Sequence, residues 1–138
     1  MEPSATTIET ACEVSRNQPF GQFLGAELTR FDTVAELQLP LKPDFQQQNG
    51  FAHGGVIGHL ADNALTFAGG LTLGNRFLMS EYKIHYLRPA RGTRLIARAE
   101  VVKAGRFQCV CRCDVFSLDE DRENLCATAL GTIVSFRT

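Results

Sequence analysis

Asp62 is the only charged side chain between Asp44 and Arg76. It sits inside an apolar run, Val56-Ile57-Gly58-His59-Leu60-Ala61-Asp62-Asn63-Ala64-Leu65-Thr66-Phe67-Ala68. An acid in such surroundings is costly unless it is paired, hydrogen-bonded or facing a cavity. Upstream, His53-Gly54-Gly55 stands where the run begins. If the run is a helix, its first N–H groups have no internal partner and lie at the positive end of the dipole. Such a terminus holds an anion or polarises a carbonyl oxygen. One short segment thus offers an electrophilic backbone pocket and, about two turns in, a carboxylate.

The helix is read from Val56, Ile57, Leu60, Ala61, Ala64, Leu65 and Ala68, which recur at helical spacing, with Phe67 widening the stripe. A helix this apolar is expected to be buried on most sides. Gly69-Gly70 and Gly74-Asn75 supply stop signals. Before it, Gln47-Gln48-Asn49-Gly50-Phe51-Ala52 reads as a loop, because Asn49-Gly50 is a turn dipeptide. Thr7 to Arg16 fits a short N-terminal helix broken by Asn17-Gln18-Pro19, and Phe20 to Leu24 fits no element clearly. Gly25 to Phe31 and Thr33 to Pro40 read as a strand pair with a tight turn near Asp32; in the second, Ala35, Leu37 and Leu39 share a face. Pro40 and Pro43 force a loop over Leu41 to Asn49.

Four strands are expected after the helix: Phe77 to Leu87, Thr93 to Lys103, Phe107 to Ser117 and Leu125 to Phe136. Their short connections, Arg88 to Gly92, Ala104 to Arg106 and Leu118 to Asn124, imply antiparallel neighbours, with the charged third connection a solvated tip. The fold class is α+β. An antiparallel sheet can cover one long apolar helix by curling around it, although the pattern alone admits other α+β folds.

The chain has 138 residues, which fits one domain (residues 1–138, the first 19 an N-terminal segment partly helical). A net charge of −1 gives no global case for nucleic acid or an anionic membrane. The charge is uneven: Arg76, Lys83, Arg88, Arg91, Arg94, Arg98, Lys103, Arg106 and Arg112 face only Glu81 and Glu100 in their segment. Most belong to solvated strand faces; some suit a groove for a phosphorylated ligand. The five cysteines are odd in number and form no C-x-x-C pair, which points to a reducing compartment. Cys109, Cys111 and Cys113 alternate at period two, on one strand face with Phe107 and Val115, and read as small buried apolar residues. His59 and Asp62 share a helix face, but His53 lies elsewhere and further ligands are lacking, so no metal is expected. Residues 1–17 carry no basic stretch followed by an apolar run, and no stretch is long and apolar enough to span a bilayer, so the expected location is the cytoplasm.

Gly50-x-x-His53-Gly54-Gly55, followed by the acid at Asp62, resembles the acyl-CoA thioesterases of the hotdog fold, and more narrowly their phenylacetate-pathway (PaaI-like) branch. Tyr82-Lys83-Ile84-His85-Tyr86-Leu87-Arg88-Pro89-Ala90 is similar to that family's strand ending in proline. Val101-Val102-Lys103-Ala104-Gly105-Arg106 is similar to its next strand and hairpin. The resemblance runs from about Phe20 to Phe136. It implies a curved antiparallel sheet around a central helix, and hydrolysis of an acyl-CoA thioester without cofactor or metal. Asp62 would act as general base or nucleophile, and the Gly54 N–H would polarise the carbonyl. His53 would order the loop and line the site, with Gly55 only conformational. An amide from Gln47, Gln48 or Asn49 would position water or carbonyl. Ser80 would orient water opposite the acid, with Met79 and Thr66 as rivals. Arg88 and Arg106 would hold the CoA moiety. The family implies a dimer or dimer of dimers with sites at the subunit interface, the amide and acid coming from different subunits. Two other readings stand beside it: a hotdog enoyl-CoA hydratase or dehydratase, and a non-catalytic acyl-CoA-binding protein. Phe51, Phe67, Phe77 and Leu78 are candidate acyl-pocket residues.

Overall fold

A computed structural model of the chain describes residues 6–74 and 76–136. Its elements run α1 (Ile8–Arg16), α2 (Pro19–Leu24), β1 (Glu27–Phe31), β2 (Ala35–Pro40), a 3-10 turn (Pro43–Phe45), α3 (Gly54–Leu73), β3 (Phe77–Tyr86), β4 (Arg94–Ala104), β5 (Gln108–Asp119) and β6 (Arg122–Ser135). The six strands form one sheet in the order β1-β2-β4-β5-β6-β3, every pair antiparallel.

α3 touches all six strands. A flat sheet of that size is about 24 Å across its strands, whereas a helix with its side chains is about 10–12 Å wide. Contact with every strand therefore requires the sheet to curl, and the result is the hotdog arrangement of a curved sheet around a central helix. The alternation in β2 supplies Ala35, Leu37 and Leu39 to the concave face, and β4 supplies Leu95, Ala97 and Ala99. Cys109, Cys111, Cys113 and Val115 do the same from β5 and are fully buried. Burial pushes the Cys111 and Cys113 thiols far up, so these side chains behave as small apolar groups. Among the described residues, no helix is long and apolar enough to cross a membrane.

Several expectations need correction. Gly69-Gly70 does not stop α3, which continues to Leu73 and ends at Gly74 with φ 86°. A Cβ on Gly69 would stand 2.7 Å from the Ile133 side chain, and one on Gly70 would stand 2.6 Å from the Phe77 ring. These glycines let the sheet approach the helix. Asn75, the other half of the second stop signal, lies outside the described residues. β3 and β4 are not neighbours despite their short connection: β3 pairs with β6 at the far edge. The connecting backbone crosses the ends of β6 and β5, with Leu87 N–H donating to the Cys126 carbonyl at 2.7 Å and Thr93 N–H to the Leu118 carbonyl at 2.8 Å. Phe107 precedes β5 and is 53% exposed, not part of the cysteine face. The charged tip is shorter than expected, since β5 and β6 pair as far as Asp119 and Arg122. Its Glu123 is ion-paired with Arg98, which also holds Glu36, rather than simply solvated. Phe20 to Leu24 lies in the short helix α2, opened by Pro19 and closed by the left-handed Gly25.

Candidate active site

The loop before α3 is pinned at both ends. Gln46 and Ala52 form a bridge, and Gln47 N–H donates to the Phe51 carbonyl at 2.8 Å. Gly50, at φ 83°, makes the turn and returns its N–H to the Gln47 carbonyl at 3.0 Å. The Gln47 side-chain oxygen accepts the Asn49 N–H, which leaves its amide NH2 directed elsewhere. His53 N–H donates to the Phe45 carbonyl at 2.7 Å, and Ala52 N–H to Ala90 at 2.9 Å. The start of α3 is thus held against both the preceding turn and the β3–β4 connection.

His53 is the N-cap of α3. Its Nδ1 accepts the Gly55 N–H at 2.8 Å, and its carbonyl accepts from Val56 at 3.0 Å. An imidazole that accepts at Nδ1 carries its proton on Nε2. Gly55 is therefore committed to the cap. The Gly54 N–H is different: among the described residues it has no hydrogen-bond partner. One free donor remains at the positive end of a helix of 20 residues.

Gly54, Gly58, Asp62 and Thr66 follow one another at four-residue intervals and form a single stripe on α3. β3 runs along part of it. Tyr86 Oη donates to the Gly54 carbonyl at 2.9 Å, and Tyr82 Oη reaches the Gly58 carbonyl at 3.5 Å. A Cβ at position 58 would lie 3.4 and 3.5 Å from those two hydroxyls, so glycine lets the phenols rest on the helix backbone. Neither tyrosine was expected at the site from the sequence. The signal that could have found them was the four-residue spacing of Gly54, Gly58 and Asp62, matched by the four-residue spacing of Tyr82 and Tyr86.

Asp62 is half-buried, and among the described residues it has no ion-pair partner. Burial raises its carboxyl above the ordinary carboxylate range; a hydrogen bond from Thr66 and the proximity of His59 oppose this. Thr66 Oγ1 donates to the Asp62 carbonyl at 2.8 Å and lies 3.3 Å from Oδ1. Burial also raises the Tyr82 hydroxyl, with further contributions from Asp62 and Tyr86. His59 belongs to another environment. Its Nε2 is 3.3 Å from Asn63 Nδ2, which donates to Gln18 at 3.1 Å, and its ring meets Phe20 edge-on at 4.9 Å. Burial lowers the His59 pKa, which keeps it neutral at pH 7. Among the described residues, no three His, Cys, Asp or Glu side chains converge on a common point.

Gln47, Asn49, Gly54, Tyr86 and Arg88 line one cleft of about 510 Å³. Arg91 stands at this loop with its guanidinium 4.9 Å from the centre of the Phe51 ring. Gln48 is exposed and does not line the cleft. Ser80 sits in a β-bulge and donates to the Thr132 carbonyl at 3.1 Å, while Met79 packs on the core. The hydroxyl that touches Asp62 is that of Thr66. Arg106 lies over the Phe107 ring at 5.1 Å on the β4–β5 hairpin and does not line this cleft. Arg94, Arg98 and Arg112 are engaged with Gln38, Glu36 and Glu123, and Glu100.

Residues 49–123 match the family model of the thioesterase superfamily. The fold is also similar to solved structures. A thioesterase family protein from Silicibacter pomeroyi is 30% identical with a TM-score of 0.87, over 93% of this chain and 96% of that one. A thioesterase from Haemophilus influenzae is 26% identical with a TM-score of 0.82, over 99% and 94%. A variant of the phenylacetic acid degradation protein PaaI from Thermus thermophilus is 29% identical with a TM-score of 0.75, over 86% and 100%. No curated protein matches the chain.

Proposed function

This chain belongs to the thioesterase superfamily as a PaaI-like hotdog protein, and from that premise we propose that it hydrolyses acyl-CoA thioesters to the free acid and CoA. The observation that carries the reading is that α3 presents both a half-buried carboxylate without an ion-pair partner and an unpartnered helix-start N–H. Asp62 takes a proton from water as the water oxygen attacks the thioester carbonyl carbon. The Gly54 N–H donates to the oxygen as it becomes an oxyanion. Collapse of the tetrahedral intermediate breaks the C–S bond, and the proton held by Asp62 passes to the departing thiolate. A carboxyl raised by burial is a stronger base and a stronger nucleophile than an ordinary one, so attack by the carboxylate itself remains the alternative to the general-base role. Gln47 and Asn49 offer amide groups at the mouth of the cleft, His53 fixes the helix start, and Arg88 and Arg106 are the cations proposed for the CoA phosphates.

Helix geometry argues that each site uses two subunits. Eight residues of α-helix rise about 12 Å. A carbonyl with a hydrogen bond at its oxygen, and at its carbon a water held in turn by a base, spans only about 8–9 Å. Even with the Asp62 side chain leaning toward the helix N-terminus, Gly54 and Asp62 of one α3 stand too far apart to serve one thioester. The free edge of β3 offers the seam. This strand pairs on one side only, and Leu78, Tyr86 and Leu87 are exposed along it or just beyond it. Two copies meeting edge to edge about a twofold axis would set their α3 helices antiparallel, with Gly54 of each opposite Asp62 of the other.

Release of free thiol from acyl-CoA by the whole chain and by Asp62→Asn tests the reading. A loss of at least about 100-fold in the variant is expected. Equal turnover by both proteins would remove Asp62 from the chemistry.

A further inference from the structure

A second cavity, of about 190 Å³, lies between α1, α3 and the start of β3. Ala11 and Val14 of α1, Phe67 of α3, and Phe77 and Leu78 of β3 give it mostly apolar walls. Thr6, Thr10 and Thr66 add hydroxyl-bearing side chains to the lining. The helix that covers it is anchored. Thr7 caps α1 by accepting the Thr10 N–H at 3.2 Å. Thr6 N–H donates to the Gly70 carbonyl at 3.0 Å, and the Thr6 hydroxyl donates to the Gly74 carbonyl. Ala11 is fully buried. On the side toward α2, Gln18 and Asn63 close the space through their mutual hydrogen bond of 3.1 Å.

Thr66 connects this cavity to the proposed chemistry. It is part of the wall, and its hydroxyl lies 3.3 Å from Asp62 Oδ1. The carboxylate thus stands one side chain away from a partly covered, mostly apolar space. The cleft lined by Gln47, Gly54 and Arg88 lies at the other end of the helix stripe.

We propose that this cavity receives the acyl group of the thioester, in the subunit that supplies Asp62, and that α1 closes it to all but compact acyl groups. The proposal rests on the thioesterase reading above. Size sets the class. An apolar cavity of about 150 Å³ holds a benzene molecule. Scaled to the volume observed here, there is room for about seven or eight carbons, as an arylacetyl group or a medium straight chain. A longer chain would have to displace the α1 packing around Ala11.

The test is free-thiol release across straight-chain acyl-CoAs from acetyl to palmitoyl, with phenylacetyl-CoA included. The expected kcat/KM peaks at hexanoyl to octanoyl and at phenylacetyl, and falls at least about tenfold by palmitoyl. Ala11→Leu and Val14→Phe extend the α1 wall into the space. In each, the octanoyl-to-propionyl ratio of kcat/KM is expected to fall at least about tenfold. Val14 is 45% exposed, so its enlargement keeps the test alive if Ala11→Leu does not fold. Palmitoyl turnover equal to octanoyl in the unaltered protein would overturn the proposal. So would an unchanged ratio in folded, active variants. These failures leave the thioesterase reading standing, whereas no hydrolysis of any acyl-CoA would sink both.

Discussion

At its N-terminal end α3 carries Gly54 and Gly58, and at its C-terminal end Gly69 and Gly70. A Cβ at Gly54 would meet the Tyr86 ring at 3.5 Å, an ordinary contact, whereas one at Gly69 would meet Ile133 at 2.7 Å. The first pair leaves backbone polar groups within reach: the Gly54 carbonyl for Tyr86, the Gly58 carbonyl for Tyr82, and the Gly54 N–H for a ligand. The second pair brings the sheet close and offers nothing to a ligand. One residue type leaves backbone groups open at one end of the helix and permits close packing at the other, and only what lies opposite tells them apart.

Substitution at each end should break the protein differently. The largest expected effect is at Gly54→Pro. Position 54 is the first residue of α3, where proline fits, and His53 already has the extended backbone (φ −62°, ψ 138°) that a following proline requires. The substitution deletes the free N–H without removing a helix hydrogen bond. Turnover should fall about 100-fold or more with the circular dichroism spectrum unchanged. Full activity in a folded variant would deny the N–H its role.

Gly69→Ala should do the reverse. Ile133 is fully buried, and its Cβ would stand 2.8 Å from the new methyl, so the backbones must separate. Overpacking of this kind costs about 1–3 kcal/mol, partly offset by the better helix propensity of alanine. Urea unfolding should show the loss, while turnover per folded molecule stays close to that of the unaltered protein.

The smallest effect concerns Asp62 itself. Burial raises its pKa in the folded chain above the unfolded value. Its contribution to stability is then complete below the unfolded pKa and is lost as pH rises through the folded one. At neutral pH the carboxylate therefore opposes folding, and Asp62→Asn should raise Tm, on the order of 2 °C. The difference should vanish in acid, below the ordinary carboxylate range. A lower Tm for the variant at neutral pH would mean that Asp62 is a structural anchor, and the contrast between the two ends would fail.

Much of this was readable in the chain. The period of two in β2 and β5 placed Leu37 and Cys111 in the core, and the single acid in an apolar helix drew attention to Asp62. What the pattern concealed depends on partners distant in sequence. Gly69-Gly70 looked like a stop because Ile133 lies some sixty residues away. β3 looked like a neighbour of β4 because local loop length says nothing of its pairing with β6. Tyr82 and Tyr86 looked like ordinary strand residues until the register of β3 set them over Gly58 and Gly54. At the site, the resemblance offered Ser80 and helical spacing offered Thr66; Thr66 meets the carboxylate, while Ser80 is turned to the Thr132 carbonyl.

In the proposed dimer, each site joins Gly54 of one subunit to Asp62 of another. Coexpression of Gly54→Pro with Asp62→Asn tests it most directly, each variant being nearly inactive alone. Random pairing makes half the dimers mixed, and each mixed dimer then holds one undamaged site and one doubly damaged site. Recovery of about a quarter of the unaltered activity is expected in the coexpressed sample. A mixed dimer with no activity above either parent would show that both groups act within one subunit, and would contradict the account.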